Sequence, residues 1–448
     1  MKKVVSSLLA AVVASASPAI AQQNELPTPG MVSLQQRAKI QDQWLKERLD
    51  TVVPALMREN GVEMWVLIAR EYNEDPVLET MLPGTWMSAR RRMVLIFFDN
   101  GETVERLAVA RYPVGDVFPS AWDPDVQPDQ WARVEEIIRE RNPKNIAVNI
   151  SDHFPLADGL SVSQDRQFRA AIGPELSKRI VSHDALAVGW LETRIPAEMN
   201  TYQTIMRVAH SIVEEGLSEA VITPGVTTTS QVVWWYRERL AELDVEPWCQ
   251  PSVSVQRNAM ETFAIDSMVL ENGQTIMPGD LLHVDFCMDY MGLKTDTQQM
   301  AYVLKPGETA APKGLRKGLS DANGVQDALT SEFKTGVSGN NILFAARKKA
   351  IRRGLNPTIY THPIGYHGHG AGPTIGSWEQ QNGTPVRGDY KMRPDTAYSI
   401  ELNAISKVPE WDNQEVRFML EVDGYFDGED FRYIDGRQTE LHLIPRLP

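Results

Sequence analysis

A weak internal repeat in the second half of this 448-residue chain is the feature that most constrains its fold. The segment "ITPGVTTTSQVVWWYRERLAEL" (222–243) is echoed by "FKTGVSGNNILFAARKKAIRRG" (333–354). In each copy a turn that starts at a glycine, Gly225 or Gly336, opens a predicted helix. The repeat predicts two halves of similar structure, each a pair of helices followed by strands.

The strands of the first half carry two aspartates in "LHVDFCMDYMGLKTDTQQMAYV" (282–303), which reads as a hairpin. A turn centred between Tyr290 and Met291 would place Asp285 directly opposite Asp296 on one face. Like charges that face each other across a strand pair are destabilising. A divalent cation between the two carboxylates would remove the repulsion, because hard cations take oxygen ligands.

The second half repeats this arrangement in the strands "TAYSIELNA" and "EVRFMLEVDGYF". Glu401 and Glu421 are equidistant from Trp411 at the centre of the connecting loop. A solvated face has no reason to recur at the matching place in both halves. The four carboxylates are therefore predicted to converge across a pseudo-twofold axis on one pocket, where two ions balance their charge.

The N-terminus predicts export. A basic start, "MKK", precedes the apolar run "VVSSLLAAVVASASPAIA", which has small residues at Ala19 and Ala21. This pattern is typical of a signal peptide that spans residues 1–21 and is cleaved before Gln22. We expect a periplasmic or secreted protein.

Charge and composition exclude several classes of partner. Loss of the two signal-peptide lysines would change the formal charge from −14 to −16, and no basic run stands out in the remaining sequence. The acidic composition thus argues against nucleic acid and anionic membrane surfaces as partners, and no other segment has the roughly 18 apolar residues that span a bilayer. Cys249 and Cys287 are the two cysteines, and the sequence leaves open whether they pair.

The domain organisation follows from length and pattern. A chain of 448 residues is long for one core. Strand-like runs such as "EMWVLIA" and "RRMVLIFFDNG" alternate with helical runs in the first part, which predicts an α/β domain over residues 22–190. Residues 191–448 form the predicted catalytic domain. Its first helix keeps its apolar period from Ile205 to Ala220 and is broken at Pro224.

Three of the eight histidines, His362, His367 and His369, lie in "THPIGYHGHGAGPTIGSWEQ". Three imidazoles among five glycines indicate a backbone folded tightly around a ligand-bearing side chain. The cluster predicts a functional site.

With the four acids, this cluster resembles the pita-bread metallohydrolases, which include aminopeptidase P, prolidase, creatinase and methionine aminopeptidase. The family order is Asp, a second Asp about ten residues later, His in a "GHGxG"-like motif, Glu and Glu. The matching residues of this chain are Asp285, Asp296, His369 in "GHGAG", Glu401 and Glu421. The resemblance covers about residues 194–433 and is nearest to the creatinase and aminopeptidase P branch.

The resemblance implies an α+β pita-bread catalytic domain behind an N-terminal creatinase-type α/β domain, and a homodimer. It implies two divalent ions bridged by Asp296 and Glu421, with Asp285 on one ion and with His369 and Glu401 on the other. An oxygen-rich set with one imidazole suits manganese, with zinc, cobalt or iron as alternatives. Such a centre activates water for hydrolysis.

The chain also departs from the family pattern. The family's peptidases carry a histidine before the first metal-bearing strand, in an "NAxxxH" pattern that ends here at Phe263. They carry another histidine seven residues after the metal histidine, where this chain has Gly376. We therefore expect His362 or His367 to supply the missing catalytic imidazole. Arg417 precedes Glu421 by four residues rather than two, which still leaves both on one strand face.

Three functions follow from these observations. The first is a metal-dependent Xaa-Pro aminopeptidase or related proline-directed peptidase that acts on small peptides. The second, favoured by the missing histidines, is a creatinase-like hydrolase or a lyase that acts on a small non-peptide metabolite. The third is a non-catalytic metal or peptide binder, which does not explain an intact set of five ligands.

Overall fold

The structure is a computed structural model that describes residues 31–259 and 273–446. The predicted signal peptide, residues 1–21, lies outside the described residues, and so does Phe263. None of the helices in the described parts of the chain combines the length and the apolar character that crossing a bilayer requires.

The N-terminal part alternates helices and strands, as predicted. Its helices are α1 (Leu34–Glu59), α2 (Pro76–Glu79), α3 (Gln130–Arg141), α4 (Val162–Ser177) and α5 (Asp184–Glu192). Its strands are β1 (Met64–Arg70), β2 (Arg92–Asp99), β3 (Val104–Ala110), β4 (Ile146–Val148) and β5 (Ile180–Ser182).

These five strands form one mixed sheet in the order β3-β2-β1-β4-β5. The strand β1 pairs antiparallel with β2 and parallel with β4. Both β1 and β2 are buried along most of their length, because helices cover the sheet, and this explains their continuous apolar sequences.

The second part contains four long helices and eleven strands among its described residues. The helices are α6 (Pro196–Gly216), α7 (Thr229–Glu242), α8 (Lys313–Thr330) and α9 (Gly339–Arg352). The strands are β6 (Ser252–Gln256), β7 (Leu281–Tyr290), β8 (Leu293–Val303), β9 (Pro357–Ile359), β10 (His362–Ile364), β11 (Thr396–Ser399), β12 (Leu402–Val408), β13 (Gln414–Leu420), β14 (Asp423–Phe426), β15 (Phe431–Tyr433) and β16 (His442–Ile444).

These strands form three sheets, in the orders β16-β8-β7-β6, β13-β12-β9 and β10-β11-β14-β15. The helix α6 ends at Gly216, so the prediction that it continues to Pro224 is wrong by about two turns. The division between the domains at residue 190 stays a prediction. The helix α5 ends at Glu192 and α6 begins at Pro196, on either side of a short connection.

A buried ion-pair cluster joins the two parts of the chain. Arg48 of α1 lies 3.2 Å from the Glu198 carboxylate of α6, and Arg194 lies 3.3 Å from the same group. All three side chains are fully buried. Removal of one partner would leave a buried charge without compensation, which fixes the N-terminal part against the catalytic part.

The structure confirms the internal repeat. Helices α7 and α9 are both 14 residues long, and each begins after a hydroxyl side chain, Thr228 or Ser338, that accepts a hydrogen bond from the first turn. The preceding glycines, Gly225 and Gly336, have φ values of 83° and 80°. Both copies thus use a glycine where the backbone is left-handed, and this explains why the glycine recurs.

The register of the first hairpin, β7–β8, differs from the prediction. Tyr290 pairs with Leu293 across a two-residue turn, so Asp285 stands opposite Gln298 and not opposite Asp296. The two aspartates are diagonal neighbours on one face. The turn residue Gly292 has a φ of 80°, which moves the centre of the turn one residue later than predicted.

The second hairpin, β12–β13, has the predicted register. Leu402 pairs with Leu420, and the Ile400 amide donates to the Val422 carbonyl at 3.0 Å, so Glu401 and Glu421 face each other. The predicted continuous strand over "TAYSIELNA" is interrupted at Ile400 and Glu401, between β11 and β12. Both glutamates lie at the inner ends of the paired strands.

Cys249 and Cys287 form a disulfide, which settles the alternative that the sequence left open. Cys287 lies in β7 directly opposite Asp296 of β8. The bridge fastens the segment before β6 to the first acid-bearing hairpin.

Candidate metal centre

The four predicted acids meet in one cavity of about 370 Å³, a volume typical of a ligand site. Asp285, Asp296, Glu401 and Glu421 all line it, and the last three are buried. The cavity lies where the hairpins meet. The end of β13 reaches β8 through a two-way backbone bridge between Glu421 and Gln298, with N–O distances of 3.1 and 3.2 Å.

The side chains form overlapping groups of possible metal ligands. In each group, one ligand atom of every member lies within 4.8 Å of the others. One group is Asp285, Asp296 and Glu421, the second is His362, Glu401 and Glu421, and the third is Asp296, His362 and His369. Asp296, Glu421 and His362 each belong to two groups, and of these the two carboxylates have the two oxygens that a bridging ligand needs.

The mutual repulsion of the four acids is unfavourable, and a cation would relieve it. Burial raises the pKa of Asp285 to about 7 and that of Glu421 to about 8. Burial, followed by the charge of neighbouring Glu421, raises the pKa of Asp296 and Glu401 well above the ordinary range. Four desolvated carboxylates so close together need positive charge to ionise.

His362 is a buried imidazole beside the acids and could serve as a metal ligand. Its Nδ1 donates to the Pro363 carbonyl at 3.0 Å, which leaves the lone pair on Nε2. That Nε2 is buried, has no hydrogen-bond partner among the described residues, and lies 3.9 Å from Glu401 Oε2. Burial, followed by neighbouring His369, lowers the pKa of His362 to about 3 and keeps the ring neutral.

His369 lies on the more open side of the same cavity. Its ring centroid is 5.1 Å from that of His362 and 5.3 Å from that of Trp248, edge to face in both cases. Tyr360 and Trp378 continue this aromatic wall, with ring centroids 5.9 Å apart. Trp248, Trp378 and His369 line this side of the cavity.

The third histidine of the cluster, His367, is not brought to the acids. It lines a separate cavity of about 330 Å³ between α1 and the β7–β8 turn, together with Glu79 and Lys294. Burial lowers the pKa of His367 to about 4.

The structure explains one of the missing family histidines. Gly376 has a φ of 75°, and a Cβ atom at this position would lie 2.3 Å from the Ile359 carbonyl oxygen. A histidine therefore does not fit on this backbone. The backbone at Gly376 requires a glycine, so the absence of the family's histidine here reflects a difference in backbone conformation as well as in side chain.

Sequence reasoning missed the polar residues that contact the acids. Gln298 donates to both glutamates, Ser399 Oγ donates to Glu421, and the Asp423 carboxylate accepts from the Asp296 amide at 3.2 Å. Gln298 and Asp423 each lie two residues from a predicted ligand. The period of two in a strand places such residues on the same face, and this signal would have found them. Met419 and Arg417 lie on the Glu421 face of β13, and of these two Met419 lines the cavity and Arg417 does not.

Comparison with protein families identifies the catalytic part. Residues 204–426 match metallopeptidase family M24. No curated protein matches the sequence closely enough to count as a relative.

Solved structures share the fold over nearly the whole chain. An X-Pro aminopeptidase from Thermotoga maritima matches with a TM-score of 0.62 at 15% identity and covers 87% of this chain and 99% of its own. A dipeptidase from Pyrococcus horikoshii matches with a TM-score of 0.58 at 16% identity and covers 89% of this chain and 99% of its own. An Xaa-Pro dipeptidase from Bacillus anthracis matches with a TM-score of 0.55 at 14% identity and covers 92% of this chain and 100% of its own.

These matches confirm the pita-bread α+β catalytic fold and the preceding N-terminal domain that the sequence predicted. The family is one of metal-dependent hydrolases, which agrees with the cluster of acids and imidazoles in the cavity. Through residues 204–426 the chain belongs to metallopeptidase family M24.

Proposed function

We propose that the protein is an Xaa-Pro aminopeptidase that uses two divalent ions, with manganese as the metal. The observation that carries this proposal is the convergence of the four acids in one cavity, with the imidazoles of His362 and His369 close to their ligand atoms. Four ionised carboxylates balance the charge of two divalent ions. Their oxygen-rich chemistry suits manganese better than softer metals.

The residues present fit such a centre. Asp296 and Glu421 would contact both ions, Asp285 would bind one ion, and Glu401 would bind the other. The orphaned, buried Nε2 of His362 supplies an imidazole next to Glu401. We infer that His362 holds this position and that His369, on the open side, faces substrate.

Two ions bound there supply an activated water and polarise the scissile carbonyl. The chain's own side chains do the rest. His369 is the imidazole able to hold and release a proton at the cavity wall, a role that typically contributes about 10²–10⁴-fold. Trp248 and Trp378 supply apolar contact surface for a substrate beside the acids. His367, which lines another cavity, has no part in this account.

The cavity favours an aminopeptidase over a dipeptidase. No Lys or Arg is among the described residues that line it, and residues 260–272 contain neither residue type in the sequence. The four negative charges of the acids already neutralise the four positive charges of two divalent ions. A dipeptide would bring a free carboxylate next to the scissile bond with no cation to compensate its desolvation. In a longer peptide this group is a neutral amide.

A substrate panel tests the proposal. Manganese-loaded protein should cleave Xaa-Pro-Xaa tripeptides and Xaa-Pro amides faster than the matching Xaa-Pro dipeptides, with products followed by mass spectrometry. Faster cleavage of the free dipeptides would contradict the substrate assignment. The comparisons do not favour the creatinase-like alternative, and creatine-like molecules serve as the control substrates.

We also propose that the protein is exported to the periplasm or secreted and acts as a homodimer. The signal-like N-terminus and the Cys249–Cys287 bridge support export, because disulfides persist in oxidising compartments. The mature chain should begin at or near Gln22, which N-terminal sequencing from the native host checks. An intact Met1 would contradict export. Light scattering checks the dimer.

A further inference from the structure

Gln298 is the residue at which the two acid-bearing hairpins join. Its backbone forms the bridge to Glu421, and in β8 it stands directly opposite Asp285 of β7. Its side chain is buried and lines the cavity. No other residue in the described chain pairs through its backbone with one predicted ligand from each hairpin.

The side-chain amide of Gln298 contacts both glutamates. Its Nε2 lies 2.8 Å from Glu401 Oε1 and 2.9 Å from Glu421 Oε2. Ionised carboxylates only accept hydrogen bonds, so the amide nitrogen must face them, and its two hydrogens are both used. The opposite orientation of the amide would place its oxygen against two acceptors.

His283 and Ser254 fix this orientation from behind. His283 Nε2 lies 2.9 Å from Gln298 Oε1, and His283 Nδ1 lies 3.4 Å from Ser254 Oγ. An amide oxygen only accepts hydrogen bonds, so His283 Nε2 carries the hydrogen of that contact, and Nδ1 can accept from the Ser254 hydroxyl. The hydroxyl donates to Nδ1, Nε2–H donates to the amide oxygen, and the amide donates to the acids.

The geometry points to Gln298 as a positioning residue for the metal ligands Glu401 and Glu421, held in place by His283. Each carboxylate oxygen has two lone pairs, and the amide occupies one on each glutamate. Ser399 Oγ takes up one more on Glu421, and the lone pairs left over would be available to metal ions. This inference rests on the proposed metal centre but adds a residue that does not itself bind metal.

The residue type fits the role. A glutamate at this position would add a fifth carboxylate to a cluster in which four already repel one another. An asparagine is one methylene shorter and would not span from the strand to both glutamates. A methionine has a similar volume and no amide, which makes Gln298→Met the most informative substitution.

The test is titration of the metal-free protein with Mn²⁺ alone, by calorimetry. Gln298→Met should weaken Mn²⁺ binding about 10–100-fold, the usual effect of losing a partner of a metal ligand, with the number of ions unchanged. The rise in melting temperature on adding Mn²⁺ should shrink. Gln298→Ala, which also leaves a cavity, should weaken binding at least as much.

Gln299→Ala is the matched control. Gln299 is the next residue of β8, points to the opposite face and bonds to His442 Nε2 at 2.6 Å, so its loss should leave Mn²⁺ affinity unchanged. His283→Ala should weaken binding less than Gln298→Met, and should have no further effect in the Gln298→Met background. If His283 had a separate structural role, His283→Ala would lower the Mn²⁺ affinity of the Gln298→Met variant further.

Wild-type Mn²⁺ affinity in both Gln298 variants would overturn this inference and leave the proposed function intact. Failure of the unaltered protein to bind Mn²⁺ would overturn the proposed function and this inference with it.

Discussion

The two acid-bearing hairpins carry equivalent pairs of acids in the sequence but hold them differently in space. In β12–β13 the two glutamates face each other directly. In β7–β8 the two aspartates are diagonal, and Gln298 takes the place opposite Asp285. The first hairpin, which holds its aspartates diagonally, therefore also supplies a hydrogen-bond donor, Gln298, to the glutamates of the second hairpin.

The difference arises in the connections. The first hairpin has a two-residue turn at Met291 and Gly292, both with positive φ, the conformation that matches the twist of paired strands. The second has a longer loop with a short helical turn around Trp411. The register predicted from the midpoint between the two acids is correct only in β12–β13, where the loop is centred on that midpoint.

The largest effect is expected from removing a bridging acid from either hairpin. Asp296→Ala and Glu421→Ala should each lose most of both ions, because each side chain would contact both, and should lower kcat/KM by more than about 100-fold. His369→Ala should lose less metal than either. Elemental analysis and peptide kinetics check this.

Acids on the same strands but outside the centre provide the controls. Asp289→Ala in β7 removes a partner of Lys294, and Glu415→Ala in β13 removes an exposed side chain. Both should keep two ions. Equal metal loss in a control and in its bridging variant would mean that the hairpin, and not the ligand, was damaged.

The next effect distinguishes the two imidazoles. His362→Ala should lose one of the two ions, because its buried Nε2 lies beside Glu401. His369→Ala should keep both ions and lower kcat about 10²-fold through loss of a proton donor. The reverse result would restore the assignment of His369 as the ligand that the family motif implies. His367→Ala is the neutral control.

The disulfide is a feature of the first hairpin alone, and its loss should affect stability. Cys249→Ser with Cys287→Ser opens a loop of 38 residues, which corresponds to about 4 kcal/mol of unfolding free energy in the chain-entropy account. Urea denaturation of the metal-free protein measures this. An unchanged midpoint would show that the two hairpins hold their strands equally well without the bridge.

The smallest effect concerns the turns. Gly292→Ala puts a side chain at a φ of 80°, where the nearest atom is 3.7 Å away, so only backbone strain of about 1–2 kcal/mol is expected. Asn413→Gly in the second hairpin, at a φ of 62°, should be neutral or slightly stabilising. Equal destabilisation by both changes would contradict the different roles assigned to the two turns.

Much of the fold was predictable because its signals are local. The repeat, the α/β pattern of the N-terminal part and the register of β12–β13 follow from periodicity and turn chemistry. The break between β11 and β12 was not predictable, since Ile400 and Glu401 leave the strand in response to neighbouring sheets. The predicted turn did not include the positive φ of Met291, although the glycine at position 292 indicated a two-residue turn over Met291 and Gly292.

The site was predictable at the level of its acids but not of its imidazoles. Asp285, Asp296, Glu401 and Glu421 follow from order and spacing, and the structure brings all four together. The separation of His362 from His367 depends on how the glycine-rich segment turns after β10, which spacing does not reveal. The contact of Gln298 with both glutamates is long-range and required the sheet-to-sheet bridge.

The number of divalent ions per chain tests the central claim most directly, because the claim is that two hairpins together hold two ions. Metal-free protein loaded with Mn²⁺ and freed of excess ion should contain close to two manganese ions per chain by elemental analysis. It should cleave an Xaa-Pro-Xaa peptide only in this state. A protein that cleaves the peptide with no metal, or that stays empty after loading with manganese or zinc, would contradict the account.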